Sequence, residues 1–311
     1  MTVWHDFPMG PSLRRYLGIN VNLYRGDSSE KPSEQRLLEF QNYVIEKLNK
    51  KPVETDDELT NLLEESVSMG MGKAAIALTE KHPINNLEDF RYLLNLGSAL
   101  MLEDKYDLAL DFFIRAQAAE PSEISPYVNT ASIYYSKHMD DEAIMWTQAG
   151  LRVDPTHQRL WEYLASLFIY RDRELAGEKV KEFATELNSH VGLSLAAQLL
   201  SPDDKLLKAE LLGIPFDSGT RDDLYLIEYT AALGMAMQYE KIPSILWQLE
   251  QVDGKQASWR LLTHVVQAYF GLNKEKEAKD LIARLEKNPE TPQSIVKDLR
   301  STYDQQFESD T

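Results

Sequence analysis

The residues of this chain best suited to acid–base or metal chemistry are six histidines: His5, His82, His138, His157, His190 and His264. None stands in a His-Glu-x-x-His pattern, in which two imidazoles on one helical face hold zinc beside a basic carboxylate. No Gly-x-Ser-x-Gly turn exposes a nucleophilic serine, and no Gly-x-Gly-x-x-Gly turn lets a pyrophosphate approach backbone N–H groups. Met69-Gly70-Met71-Gly72 has glycines but neither a preceding strand nor a Gly-Lys-Ser/Thr ending, so it reads as a turn. The acid pairs Asp140-Asp141, Asp203-Asp204 and Asp222-Asp223 each stand before a helical pattern, where carboxylates favour the positive end of the dipole without needing a metal. Cysteine is absent, which excludes disulfides and thiolate zinc sites. The expectation is a non-enzymatic protein with no catalytic residues, no cofactor and no metal.

Composition narrows the partners. The net charge of −17 gives a field that repels a phosphate backbone, so nucleic acid is not an expected ligand. Acidic helix surfaces that keep the chain soluble account for that charge without a calcium role. No apolar run approaches the 18 or more residues of a membrane span, and no basic-then-apolar leader opens the chain, so membrane insertion is not expected and the cytoplasm is the expected location.

The elements that must position any functional side chain recur. Ala109 and Ala143 stand one repeat apart, as do Pro121 and Pro155, at the 34-residue step of a helix–turn–helix repeat. Small residues at Gly97 and Ala131 let the second helix of a pair approach the first. Ala109 and Ala143 play the reciprocal part, and larger apolar residues at Leu93, Leu96, Leu100, Phe113 and Tyr127 fill the space between. Pro121 and Pro155 stop one unit running into the next. A unit of this size cannot bury its apolar face alone, so neighbours must stack. Trp161, Leu164-Ala165, Phe168, Gly177 and Ala184 continue the pattern into a third unit.

On these landmarks the chain resembles the tetratricopeptide-repeat family. The resemblance implies an all-α fold, a right-handed α-solenoid of about sixteen helices. It also implies a protein-binding scaffold whose first helices line a concave groove. The groove positions carried onto this sequence are Arg91, Asn95 and Ser98 in the first unit, Asn129, Ser132 and Tyr135 in the second, and Arg159, Tyr163, Ser166 and Tyr170 in the third. Asn95 and Asn129 hold the same place in successive units, and an amide offers both donor and acceptor to an extended peptide. One subfamily grips a C-terminal carboxylate through five such positions. Asn129 and Arg159 match two of them, whereas Leu94, Ser98 and Tyr163 depart, so an extended or helical peptide fits this groove better. Small polar residues on these helices also have a plainer reading, in which they only wet an empty face.

The chain divides on its patterns into five stretches. Residues 1–32 form an aromatic, basic arm with Trp4, Phe7, Tyr16 and Tyr24, bearing one short turn at Ser12–Leu17. Residues 33–212 read as an N-terminal solenoid, clearest over 90–189, with a Thr55-x-x-Glu58 capping box and a helix start at Ser201-Pro202-Asp203-Asp204. Residues 213–221, around Gly213-Ile214-Pro215, read as a hinge loop. Residues 222–306 hold further repeats and a capping helix, and 307–311 an acidic tail. The leading functional expectation is an adaptor that holds a peptide or partner protein in the groove. The alternatives are a self-assembling hub, and therefore a homo-oligomer, or an adaptor whose arm occupies its own groove.

Overall fold

A computed structural model describes residues 11–17, 33–48, 50, 53–82, 88–170 and 172–308. Its described residues are all-α, in helices packed against their neighbours in the chain. They fall into two compact units, Met1–Asp154 and Pro155–Thr311.

Unit 1 contains α1 (Pro11–Leu17), α2 (Glu34–Leu48), α3 (Asp56–Ser68), α4 (Gly72–Lys81), α5 (Phe90–Leu102), α6 (Tyr106–Ala119), α7 (Ser125–Ser136) and α8 (Asp140–Val153). The pairs α5/α6 and α7/α8 are the two clearest repeats, and α3/α4 is a third pair of the same design. Each is closed the same way. Gly70, Asp104 and His138, which follow the first helices, adopt φ of 74°, 56° and 56°. The next residue then bonds back five positions: Met71 N to Ser66 O, Lys105 N to Leu100 O, Met139 N to Tyr134 O. This left-handed closure satisfies carbonyls that a helix end leaves without partners.

Close approach within a pair depends on the small landmarks. A Cβ on Gly97 would lie 2.7 Å from Phe113 Cε1, and Phe113 is fully buried. The core of unit 1 joins Leu93, Leu96, Ala109 and Phe113 to Leu59, Leu62, Leu63 and Leu78, and to Leu13 of α1. The seven-residue α1 is thus no loose turn. Leu13, Tyr16 and Leu17 are buried, and Glu65 of α3 accepts the Ser12 and Leu13 N–H groups at 2.8 Å each. The rest of the expected arm, with Trp4, Phe7 and Tyr24, lies outside the described residues. Thr55 caps α3 through Glu58 N, but the Glu58 carboxylate accepts from Glu54 N rather than from the cap residue itself.

Unit 2 contains α9 (Gln158–Ile169), α10 (Arg173–Glu186), α11 (His190–Leu200), α12 (Lys205–Asp217), α13 (Asp223–Met235), α14 (Ile242–Trp247), α15 (Trp259–Gly271), α16 (Glu275–Lys287) and α17 (Gln293–Tyr303). With α1–α8 this makes seventeen α-helices among the described residues, against the sixteen or so expected. A short 3₁₀ turn (Tyr239–Lys241) leads into α14, and π-helical turns follow α14 (Gln248–Val252) and α17 (Asp304–Glu308). The left-handed closure recurs at Met237 (φ 57°) and Asn273 (φ 55°). The repeat step is also written in side-chain bonds between residues 34 apart: Ser189 with Pro155, Ser194 with Glu228, Thr230 with His264, and Arg284 with Glu250. Trp161 Nε1 donates to Pro155 O, and in unit 1 the Tyr127 hydroxyl makes the equivalent bond to Pro121 O.

Three expected boundaries are corrected. The hinge loop placed at 213–221 is helical as far as Asp217, despite Pro215, and the division between units falls at Asp154/Pro155 instead. Contacts from α13 and its approach override the local Gly-Pro signal. Tyr225 Oη donates to Leu212 O, the Tyr229 hydroxyl sits over Gly213, and Arg221 donates to Phe216 O while its guanidinium lies 4.0 Å from the Phe216 ring centroid. The start expected at Ser201 shifts to Lys205, because Asp204 supplies the cap by accepting Leu207 N. The tail does not begin at Phe307, whose ring packs on Tyr303 and Phe270 at 5.3 and 6.2 Å. No helix among the described residues is long and apolar enough to cross a membrane.

Two substitutions test this account in chemical denaturation. Gly97→Ala forces the Phe113 ring to move and is expected to destabilise unit 1 by about 1–3 kcal/mol. Met237→Gly relieves a left-handed residue whose side chain is 77% exposed, and is expected to stabilise unit 2 by about 0.5–1 kcal/mol.

Candidate functional site

In unit 1 the groove residues expected from the repeat lie on α5 and α7, the first helices of their pairs. Arg91 is engaged already, donating to Asn61 Oδ1 at 2.9 Å and Glu64 Oε2 at 2.6 Å on α3. Asn95 is half-buried and donates through Nδ2 to Arg91 O. The Ser98 hydroxyl donates to Leu94 O. Asn129, Ser132 and Tyr135 are half-buried on α7. Among the described residues the Asn129 side-chain amide makes no hydrogen bond, which sets it apart from Asn95.

In unit 2 the expected residues lie on α9. Arg159 is exposed, with its guanidinium 5.4 Å from the Tyr163 ring centroid. The Ser166 hydroxyl donates to Tyr163 O. Tyr170, the residue that ends α9, is 84% exposed.

The back-bonding has a chemical consequence. A serine hydroxyl that donates to its own helix keeps acceptor lone pairs but has no proton left to offer. Ser98 and Ser166 therefore present acceptors, and a molecule held against them must bring N–H or O–H donors. Asn129 can do both.

The sequence pattern did not single out a charged cluster in unit 2, built from α11, α12 and α13. Glu228 accepts from the Ser194 hydroxyl at 2.6 Å, pairs with Lys208 Nζ at 3.1 Å and stands 3.8 Å from His190 Nδ1. The His190 ring packs on Tyr225 at 5.1 Å. Burial works against the charged carboxylate. Contacts from His190, Ser194 and Lys208, with the Lys208 charge, outweigh it and hold Glu228 down at about 2. Ser194 and Lys208 reach Glu228 at hydrogen-bond distance, whereas His190 Nδ1 stands beside it at 3.8 Å without a hydrogen bond. Nearby, burial raises the Tyr225 phenol far above its ordinary value, with the adjacent Tyr229 adding to the effect. The signal that would have pointed here is the one-repeat separation of Ser194 and Glu228.

A second polar pair links α13 to α15. Thr230 is buried, back-bonds to Leu226 O and shares a 2.8 Å hydrogen bond with His264 Nδ1. Burial pushes His264 below the usual histidine range, against a smaller opposing effect of the Ile227 carbonyl. The chain matches no protein-family model and no curated protein. Among solved structures it is similar to a tetratricopeptide repeat protein from Parabacteroides merdae ATCC 43184, at 17% identity and a TM-score of 0.35, covering 79% of this chain and 98% of that one. The all-α arrangement of paired neighbouring helices is read from this chain's own geometry.

The Glu228 cluster gives a pH prediction with a definite sign. Its carboxyl titrates lower in the folded chain than its ordinary value of 4.5, so its contribution is complete above that value and lost as pH falls towards 2. The full linkage is about 3 kcal/mol, and solvent screening of a carboxylate about one-third exposed reduces it to about 1–2 kcal/mol. Urea midpoints measured at stepped pH are expected to show this difference between the wild type and Glu228→Gln at pH 6, shrinking as the medium is acidified towards pH 2. A difference independent of pH would remove the linkage.

Proposed function

We propose that this chain is a non-enzymatic binding scaffold of the tetratricopeptide-repeat kind, which holds an extended peptide or a partner protein against the first helices of its pairs. The observation that carries the reading is Asn129, a half-buried amide without a hydrogen bond among the described residues. It stands on the first helix of a repeat, where Asn95 holds the equivalent place one unit earlier. An amide so placed can pair with both groups of a peptide bond. On the same helix as Asn129, the aromatic face of Tyr135 adds contact area with a polar tip. Arg91, also among the expected contacts, bonds to Asn61 and Glu64 through an exposed guanidinium.

The alternative in which the arm occupies its own groove has one observation beside it: residues 11–17 are held on α3, the first helix of its pair, by buried Leu13 and by Glu65.

Peptides selected from a displayed library against the full-length chain provide the test. Each amide that pairs with a peptide bond contributes about 1 kcal/mol, so Asn95→Ala with Asn129→Ala is expected to weaken selected peptides by roughly tenfold to thirtyfold. Circular dichroism should show an unchanged helical signal. Unchanged affinity in a folded double variant, or a library that yields no binder, would count against the reading.

A further inference from the structure

Between α13 and α15 of unit 2 lies a cleft of about 450 Å³, within the range of small-ligand sites. Its walls include Thr230, Gly234 and Met235 from α13, Tyr239 from the turn after it, and His264 and Gln267 from α15. None of the lining residues is acidic, lysine or arginine, although the chain as a whole carries a net charge of −17. Burial keeps His264 in its neutral form at neutral pH, so the cleft has no fixed charge to pair with an ion. A charged group placed there would lose hydration without gaining a partner. The occupant is therefore uncharged.

The polar groups specify the rest. Thr230 bonds to Leu226 O and to His264 Nδ1, so these groups are engaged with each other, and the neutral imidazole brings one N–H and one acceptor nitrogen to the wall of the cleft. Gln267 is exposed and offers an amide with donor and acceptor together. Gly234 has no side chain, and a Cβ built on it meets nothing within 4 Å, so a backbone can approach α13 closely there. Met235 is 52% exposed in the wall and Met237 is 77% exposed just beyond it. Thioether side chains of this kind mould themselves around apolar groups of different shape. The cleft is partly open to solvent. It suits a single side chain carried on a chain that continues past it, rather than a fully enclosed small molecule.

We infer that the α13/α15 cleft is a receptor for one uncharged apolar side chain of a bound peptide, with the flanking peptide bond paired to Gln267. This rests on the reading of the first helices as the binding faces, and it adds a side-chain preference to that reading. Thr230 and His264, one repeat apart, are where the preference is set.

The probes are N-acetyl amides of single amino acids, added at millimolar concentration to the full-length chain labelled with ¹³C in its methionine methyl groups. Met235→Leu and Met237→Leu assign the two relevant signals. The leucine, methionine and phenylalanine amides are expected to shift the Met235 signal, and the lysine and glutamate amides to leave it in place. Gly234→Trp projects an indole into the cleft and is expected to weaken the apolar amides at least tenfold, whereas Gly234→Ala retains binding and reports that the helix tolerates substitution. No shift with any apolar amide, equal shifts with the lysine amide, or binding that survives Gly234→Trp would each overturn the inference. The variants also separate it from the broader proposal. Display-selected peptides that lose affinity in the Asn95/Asn129 double variant but not in Gly234→Trp leave the scaffold reading standing and remove the cleft. Amide binding at Met235 that persists when the double variant binds peptides normally does the reverse.

Discussion

The constraint on which the rest depends is the closure between the two helices of a pair. At Gly70, Asp104, His138, Met237 and Asn273 the chain turns through a left-handed residue, and the following N–H bonds to a carbonyl five positions earlier. That turn brings the second helix back along the first with little slack. Everything between them must then fit at short range, which is why Phe113 lies against Gly97. A pair built this way still leaves one face of each helix uncovered, and the next pair covers it. What remains on the first helices once the stacking is complete is the surface proposed here for binding.

Much of this arrangement was legible in the residues. Leu93, Gly97, Ala109 and Phe113 are all buried or packed at the interface their spacing implied, and Pro121 and Pro155 follow the ends of α6 and α8. These features are local or repeat at a fixed step, so a single sequence displays them. The misread places depend on residues from other helices. Gly213-Ile214-Pro215 has the composition of a loop, and only Tyr225, Tyr229 and Arg221 make helix the better outcome. Phe307 follows the last regular helix, and only the rings of Phe270 and Tyr303 show it to be packed.

The candidate binding faces were legible as positions and not as chemistry. The repeat placed Asn95, Ser98, Asn129 and Ser166 on first helices, but it could not show which of them bond to their own backbone. Arg91 illustrates the same limit, since its partners Asn61 and Glu64 come from the preceding pair. Glu228 gathers Ser194 and Lys208 from two other helices, and Thr230 meets His264 of the next repeat. Hydrogen-bond direction separates a polar face that offers only acceptors from one that can also donate, and spacing alone carries no such information.

The bonds that join Ser189 to Pro155, Ser194 to Glu228, Thr230 to His264 and Glu250 to Arg284 all span the same number of residues. Gene duplication or loss of one complete unit would hand each partner a neighbour at the familiar distance. A change of half a unit would leave the same side chains facing the wrong helix. The length of such a chain can therefore drift through evolution only in quanta, and the size of the quantum is stored in its polar contacts as well as in its apolar ones.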